Sequence, residues 1–213
     1  YSMLYDTQLK MAYWVAYPLC NYYTAKNVKR TNAWAYDPSL SSEEQATMKR
    51  GLNGYDRGHQ IPSADRLVTR EANEQTFYYT NMTPQIGRGM NQHIWQKLET
   101  AVRGWSSNID TLYVVTGAMP TTPENTTISY TQDNDGKQIA VPKYYFKALC
   151  RINRATGEAQ TIAFKLDNRA YPNGESYMNH TLSVAELERM TGFVFFPMIR
   201  EQDKQAYDKS KWN

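Results

Sequence analysis

Cysteine is nearly missing from this chain, and long apolar runs are missing altogether. With two cysteines in 213 residues, Cys20 and Cys150, neither a disulfide framework nor a cysteine-built metal site of ordinary spacing can form. One bridge at most is possible; closing so long a loop would contribute about 4 kcal/mol, and two buried free thiols fit the sequence equally well. Hydrophobic residues make up 41% of the chain, yet no stretch of them approaches the roughly 20 residues that a membrane-spanning helix needs. No Pro/Gly/Ser-rich linker, internal repeat or low-complexity tract divides the chain, so the expectation is one domain over residues 1–213. The first residue is Tyr1 rather than Met, as expected where a leader is either removed or lies outside these 213 residues, in which no signal peptide is visible.

Net charge is also scarce. A balance of +3 excludes a broad basic surface as the means of gripping a polyanion. Its distribution is uneven, however. Between Lys49 and Arg103 stand eight basic residues (Lys49, Arg50, Arg57, Arg66, Arg70, Arg88, Lys97, Arg103) against five acidic ones (Asp56, Asp65, Glu71, Glu74, Glu99). The whole formal excess therefore lies in that window, as a local polyanion grip or as a solvated mixed-charge face.

The same window holds the tetrapeptide Asp56-Arg57-Gly58-His59. A base with a near-neutral pKa can take a proton from water, and a guanidinium beside it can hold a phosphate or the charge that builds on phosphorus. Alone, the four residues could equally be a turn with an Asp-Arg pair across it.

The surrounding pattern is α+β. Residues 12–19 read as a strand, and the β-branched run 111–118 as a buried strand ending at Gly117. A cap-like stretch at Ser41-Ser42-Glu43-Glu44 predicts a short helix to Lys49. Asn134-Asp135-Gly136 is a turn signal, and residues 143–150 and 159–166 read as paired strands joined through Asn153–Gly157. Ser183 with Glu186 three residues on predicts a capping box and a helix stopping at Gly192.

A further helix is predicted after Met90. At 100° per residue Ile94, Trp95, Leu98, Ala101, Val102 and Trp105 share one arc, the face that packs on a sheet. Asn91 sits at its N-terminal end, and Glu99 and Arg103 at its edge. Inward polar groups need partners. Asn91 could be an N-cap and Glu99 with Arg103 an i,i+4 ion pair, or Asn91 and Glu99 could hold a hydrated cation opposite His59.

Taken together, residues 54–66 (Gly-Tyr-Asp-Arg-Gly-His-Gln-Ile-Pro-Ser-Ala-Asp-Arg), Thr80-Asn81-Met82-Thr83-Pro84-Gln85, residues 90–99 and Arg103 resemble the DNA/RNA non-specific endonucleases. That family includes secreted bacterial nucleases and mitochondrial endonuclease G. Trp14-Val15-Ala16-Tyr17 and residues 182–197 extend the resemblance over most of the chain. It implies a central, mostly antiparallel sheet with packed helices and a ββα-metal (His-Me finger) motif at about 54–103. It implies His59 as general base, Asn91 as the direct ligand of Mg²⁺ (with Mn²⁺ or another divalent cation able to substitute), and Glu99 as a ligand through water. Arg57 and Arg103 would clamp phosphate and transition state, while Asn81 and Gln85 would position His59 or the substrate. DNA and RNA would be held through phosphates and left with 5′-phosphate and 3′-hydroxyl ends. A secreted or periplasmic location is expected.

Asp56 is expected to brace the loop, and His93 and His180 to lie on the surface. Two other readings stay open: a binding module of this fold without chemistry, and a metal-independent phosphodiesterase needing His93 or His180 beside His59.

Overall fold

The computed structural model describes residues 1–212. Its centre is a six-stranded antiparallel sheet in the order β1 (Ser2–Asp6), β2 (Met11–Leu19), β5 (Leu112–Met119), β8 (Tyr144–Ile152), β9 (Ala159–Asp167) and β10 (Thr181–Leu182). Two short hairpins stand apart from it: β3 (Asp56–His59) with β4 (Met82–Gln85), and β6 (Ser129–Gln132) with β7 (Gln138–Val141). The helices are α1 (Asn21–Thr24), α2 (Arg70–Gln75), α3 (Gln96–Trp105), α4 (Val184–Thr191) and α5 (Glu201–Gln205).

Both faces of the sheet are covered, which the alternation along β8 makes plain. Tyr145 and Leu149 face one core, shared with Ile94, Trp95, Leu98 and Val102 of the long helix. Tyr144, Phe146 and Ala148 face the other, closed by Val184 and Leu187 of α4 and by Phe195. Successive strand residues point to opposite sides, so a strand covered on both reads as one apolar run. The helix arc deduced from periodicity is the buried one, with Ala101 and Trp105 at its half-exposed margin.

The chain between β2 and β5, residues 20–111, is an excursion between adjacent strands, and it carries the β3–β4 hairpin and then the helix. β3 and β4 pair antiparallel with Asp56 opposite Gln85 and His59 opposite Met82. Helix entry is irregular. Arg88 and Gly89 lie outside helical geometry, Gly89 at a φ of 83°, and wide turns carry the chain to Trp95 before regular α3 begins. Asn91 is inside that wide segment, its N–H donating to the Ile86 carbonyl at 2.9 Å, so it is not an N-cap.

Two local expectations fail for tertiary reasons. Residues 41 to 49 make turns rather than a helix: Glu44 closes back on Ser41 at 2.9 Å and 2.8 Å, and the buried Gln45 amide ties to Asp37, Leu40 and Ser41. Ala46, Thr47 and Met48 then run buried without helix, because their side chains fill a satellite core with Tyr79 and Met82. Strand β5 also continues through Gly117 to Met119. Glycine there serves packing and is no stop signal, since a Cβ would run into the Phe146 ring and the Tyr13 carbonyl.

The other local signals form as expected. The capping box at Ser183 and Glu186 opens α4, and Gly192 ends it at a φ of 76°. Cys20 and Cys150 are both free thiols, Cys150 with its pKa pushed up to about 11 by burial. No helix among the described residues is long and apolar enough to cross a membrane.

The close approach at Gly117 generates a test of the sheet. Gly117→Ala should cost about 3 kcal/mol through overpacking, lowering the melting temperature by about 6–12 °C for a chain of this size. Calorimetry showing a melt within about 2 °C of the wild type would mean that β2 and β8 yield there at little cost.

Candidate active site

The β3–β4 hairpin and the following helix meet at a cleft of about 450 Å³. The hairpin contributes Asp56, Arg57 and His59, with Arg57 and His59 two apart and so on one face of the strand. The helix contributes Asn91, Gln92, Gln96, Glu99, Thr100 and Arg103. Pro62, Ser63 and Ala64 close one end, and Arg30 and Trp34 come from the segment ahead of the hairpin. Five of the seven side chains singled out from the sequence therefore share one cavity.

Asp56 joins the two elements. Its Oδ2 accepts from Asn91 Nδ2 at 2.9 Å and from Gln92 Nε2 at 2.8 Å. With its amino group committed, the Asn91 amide keeps its carbonyl oxygen as its remaining polar atom. The carboxylate reaches this position because Gly87 has no side chain; a Cβ there would stand 2.7 Å from Asp56 Oδ1.

His59 is half-buried and packs edge-on against Trp34 and Phe77, at ring distances of 5.5 and 5.2 Å. Burial, and then the positive charges of Arg30 and Arg57, push its pKa down to about 3, against a raising hydrogen bond to the Arg57 backbone. Its Nε2 is buried and has no protein partner. The imidazole is thus neutral at physiological pH, with Nε2 uncommitted to any hydrogen bond among the described residues.

Glu99 is also half-buried, and no described residue hydrogen-bonds its carboxylate. Burial pushes its pKa up to about 7, Lys147 opposes this most strongly, Asp65 adds to it, and Arg103 and Arg30 oppose it. The Glu99–Arg103 ion pair, one of the two readings open from the sequence, does not form among the described residues. Arg103 Nη1 instead bonds Asp65 Oδ1 at 2.8 Å, while Tyr17 holds the other Asp65 oxygen at 2.8 Å. Arg57 has no carboxylate partner among the described residues; its Nη1 donates to the carbonyls of Lys49 at 2.8 Å and Met48 at 3.2 Å.

Asn81 and Gln85 lie outside the cleft, both fully buried. The Asn81 side chain accepts from Ile61 N–H at 3.0 Å and donates to the carbonyls of Ile61 and Thr76. It thereby clasps the loop just after His59. Gln85 packs against Gly58 across the hairpin, and neither atom of its amide is bonded. His93 contacts Lys97 at 3.0 Å, and His180, expected to be exposed, is half-buried against Glu175 at 2.9 Å and the Tyr171 ring. Neither histidine lines the cleft, so the two-histidine reading lacks its second group.

Several contributors escaped the sequence reading. Arg30 and Trp34 lie some twenty residues or more ahead of Asp56, and they are brought alongside by the pairing of Ala35 with the 77–79 segment and by the bonds of Arg30 to Ser63 and of Thr31 to Asn73. Lys147 is a fully buried cation on β8, 4.5 Å from the centre of the Trp95 ring and bonded to Thr116 at 3.1 Å. A lysine within the apolar run of β8 was the signal that could have flagged it.

The donor set can be tested against a divalent cation. Among the described residues no three His, Cys, Asp or Glu side chains converge as a ligand set. What faces the cleft is a carbonyl oxygen fixed by Asp56 and an unpaired carboxylate two helical turns on. Hard oxygen donors in that number suit a cation that keeps most of its waters, as Mg²⁺ does.

The comparisons agree with this architecture. The family model described as DNA/RNA non-specific endonuclease matches residues 1–202. The mitochondrial nuclease of Saccharomyces cerevisiae is 29% identical over 217 residues, 96% of this chain and 66% of that protein. A nuclease of Syncephalastrum racemosum is 31% identical over 93% of this chain and 66% of its own length. Mitochondrial endonuclease G of Bos taurus is 27% identical over 93% of this chain and 68% of its own. The chain thus spans about two thirds of the length of these relatives. An EndoG chain solved in complex with EndoGI superposes with a TM-score of 0.77 at 23% identity, covering 96% of this chain and 86% of that one. The fold is therefore α+β with a ββα-metal motif. The expected secreted or periplasmic location is overturned, because relatives that match from 78% to 96% of the chain are mitochondrial nucleases.

The two shifted groups make opposite demands on stability in metal-free protein. Glu99, raised from 4.5 to about 7, keeps a proton in the folded state that the unfolded chain releases, so its contribution falls as pH rises from 4.5 to 7. His59, lowered from 6.5 to about 3, refuses a proton that the unfolded chain accepts, so its contribution falls as pH drops from 6.5 toward 3. Glu99→Gln should therefore be the more stable protein at pH 8, by about 1–2 kcal/mol once partial solvent exposure is allowed for. Its stability should rise from pH 4.5 to 6.5 more steeply than that of the wild type. Urea unfolding in EDTA that gives parallel curves for the two proteins would contradict the assignment.

Proposed function

Because the chain belongs to the DNA/RNA non-specific endonuclease family, we propose that residues 1–213 act as one nuclease domain that hydrolyses phosphodiester bonds of DNA and RNA without reading their sequence. Mg²⁺ is the proposed cofactor, replaceable by Mn²⁺ or another divalent cation, and residues 54–103 carry the active-site motif. The observation that carries this reading is the pairing of an orphaned His59 Nε2 with an Asn91 carbonyl oxygen fixed by Asp56, on adjoining elements of one cleft.

In this reading the Asn91 carbonyl oxygen would hold the cation directly and Glu99 would hold it through water. Bound there, the cation supplies electrostatic stabilisation to the phosphate and the departing 3′ oxygen. His59 takes a proton from the attacking water onto Nε2, a transfer its neutral ring permits at physiological pH. Arg57 and Arg103 retain N–H groups beyond those spent on Met48, Lys49, Asp65 and Thr100, and these would meet phosphate oxygens as the negative charge grows. Glu99, ionised, would accept from a water in the cleft and orient it. Asn81 holds His59 in place through the loop at Ile61. Contacts of this kind go to phosphates and carry no base information, so cleavage is sequence-blind, and departure of the 3′ oxygen as water attacks phosphorus leaves 5′-phosphate and 3′-hydroxyl ends.

The test is a plasmid and RNA cleavage assay with Mg²⁺ and with EDTA on three proteins. The wild type should cut both substrates and stop in EDTA. His59→Ala should lose about 10²–10⁴-fold in kcat while still binding DNA. Asn91→Ala should need more Mg²⁺ for half-maximal rate. Cleavage by the wild type that persists in EDTA, or wild-type turnover by His59→Ala, would refute the mechanism; a wild type that cuts nothing in any divalent cation would refute the function.

A further inference from the structure

Arg57 is held in an unusual way. Its guanidinium carbon sits over the Trp34 indole, 3.4 Å from the ring centre, and no carboxylate among the described residues forms an ion pair with it. The same indole packs against the His59 imidazole at 5.5 Å and meets Phe77 edge-on at 4.8 Å. Phe77 in turn stands edge-on to His59 at 5.2 Å and underlies the Arg30 guanidinium at 4.7 Å. Trp34 is fixed from behind, because its neighbour Ala35 bonds to Phe77 and Tyr79 through the backbone.

We propose that Trp34 is a positioning residue for the reaction: one indole sets both the Arg57 guanidinium and the His59 imidazole against the cleft. The inference rests on the nuclease reading for what is being positioned, but not for the packing itself. Its physical basis is the difference between two ways of holding a cation. A carboxylate would fix Arg57 but cancel its charge, whereas an aromatic face fixes the plane and leaves the charge and the N–H edges for a phosphate. For His59 the indole supplies an apolar wall on one side of a ring whose Nε2 has no hydrogen-bond partner among the described residues. Because one ring serves two groups, its loss should misplace both together, and small misplacements of reacting groups are costly.

The test compares wild type, Trp34→Phe and Trp34→Leu, each with Arg57 or with Arg57→Lys. Trp34→Leu should lower kcat about 10–100-fold with KM changed less than about threefold, an effect of the size a displaced group gives. Trp34→Phe should recover most of that loss, and Trp34→Leu should cost much less when Arg57 is already lysine. A readout independent of cleavage is the Arg57 side-chain NMR signal, which should be shifted upfield by the indole in the wild type and return to an ordinary position in Trp34→Leu. Unchanged kcat in Trp34→Leu, strictly additive losses with Arg57→Lys, losses that track melting temperature alone, or an unshifted Arg57 signal in the wild type would each overturn the proposal. A shifted Arg57 signal in a protein that cuts no nucleic acid would count against the nuclease reading while leaving the packing established.

Discussion

One carboxylate oxygen holds the site together. Asp56 Oδ2 takes hydrogen bonds from two amides one residue apart on the helix, Asn91 at 2.9 Å and Gln92 at 2.8 Å, while Asp56 itself belongs to the hairpin. A charged acceptor makes each of these bonds stronger than a neutral one would be. Without that joint, nothing in the backbone pairing of β3 with β4 would fix where the helix stands relative to His59. Gly87 makes room for it, and the irregular turns from Gly87 to Trp95 allow Asn91 and Gln92 to reach one oxygen together. The apolar side of the same helix is pinned by Ile94, Trp95 and Leu98 in the core beneath the sheet, so the polar stripe cannot roll away from the cleft.

Charge in the cleft is managed by unlike means. Arg103 is neutralised by the buried Asp65, which Tyr17 also holds, whereas Arg57 rests on an aromatic face and two carbonyls. Glu99 stands unbonded in a half-buried place, with the buried Lys147 as the largest influence favouring its charge. The resulting cleft has fixed cations, a neutral imidazole and a carboxylate whose proton is loosely held. A cation entering beside Asn91 would complete that balance by holding Glu99 ionised.

Much of this was legible in the sequence. The 100° arc of Ile94, Trp95, Leu98 and Val102 identified the buried face, and the polar residues at its edge identified the cleft side. The capping box at Ser183 and the paired strands around residues 153–157 were readable because each depends on residues a few positions apart. What failed depended on distant neighbours. The cap-like Ser41–Glu44 forms its hydrogen bonds without a helix, since burial of Ala46 and Met48 against Tyr79 and Met82 wins over local propensity. Gly117 lies within a strand because Phe146 sits against it, and Arg30 and Trp34 reach the cleft through the bonds of Ala35, Thr31 and Arg30 itself to distant residues, which no spacing within the motif could announce. Asp65 stood in view beside Arg66, yet its pairing with Arg103 across thirty-eight positions could not be read from either one.

The claim most open to direct measurement is that Asp56 fixes Asn91 for a cation. Manganese affinity should be measured by titration calorimetry on wild type and Asp56→Ala, with circular dichroism to confirm that the fold is kept. Removing the acceptor frees the Asn91 amide to turn, and loss of a partner that orients a metal ligand weakens metal binding by about 10–100-fold. A dissociation constant raised by that amount in a folded protein is the result expected. Equal affinity for Mn²⁺ in a folded Asp56→Ala would show that the joint between hairpin and helix does not build the cation site.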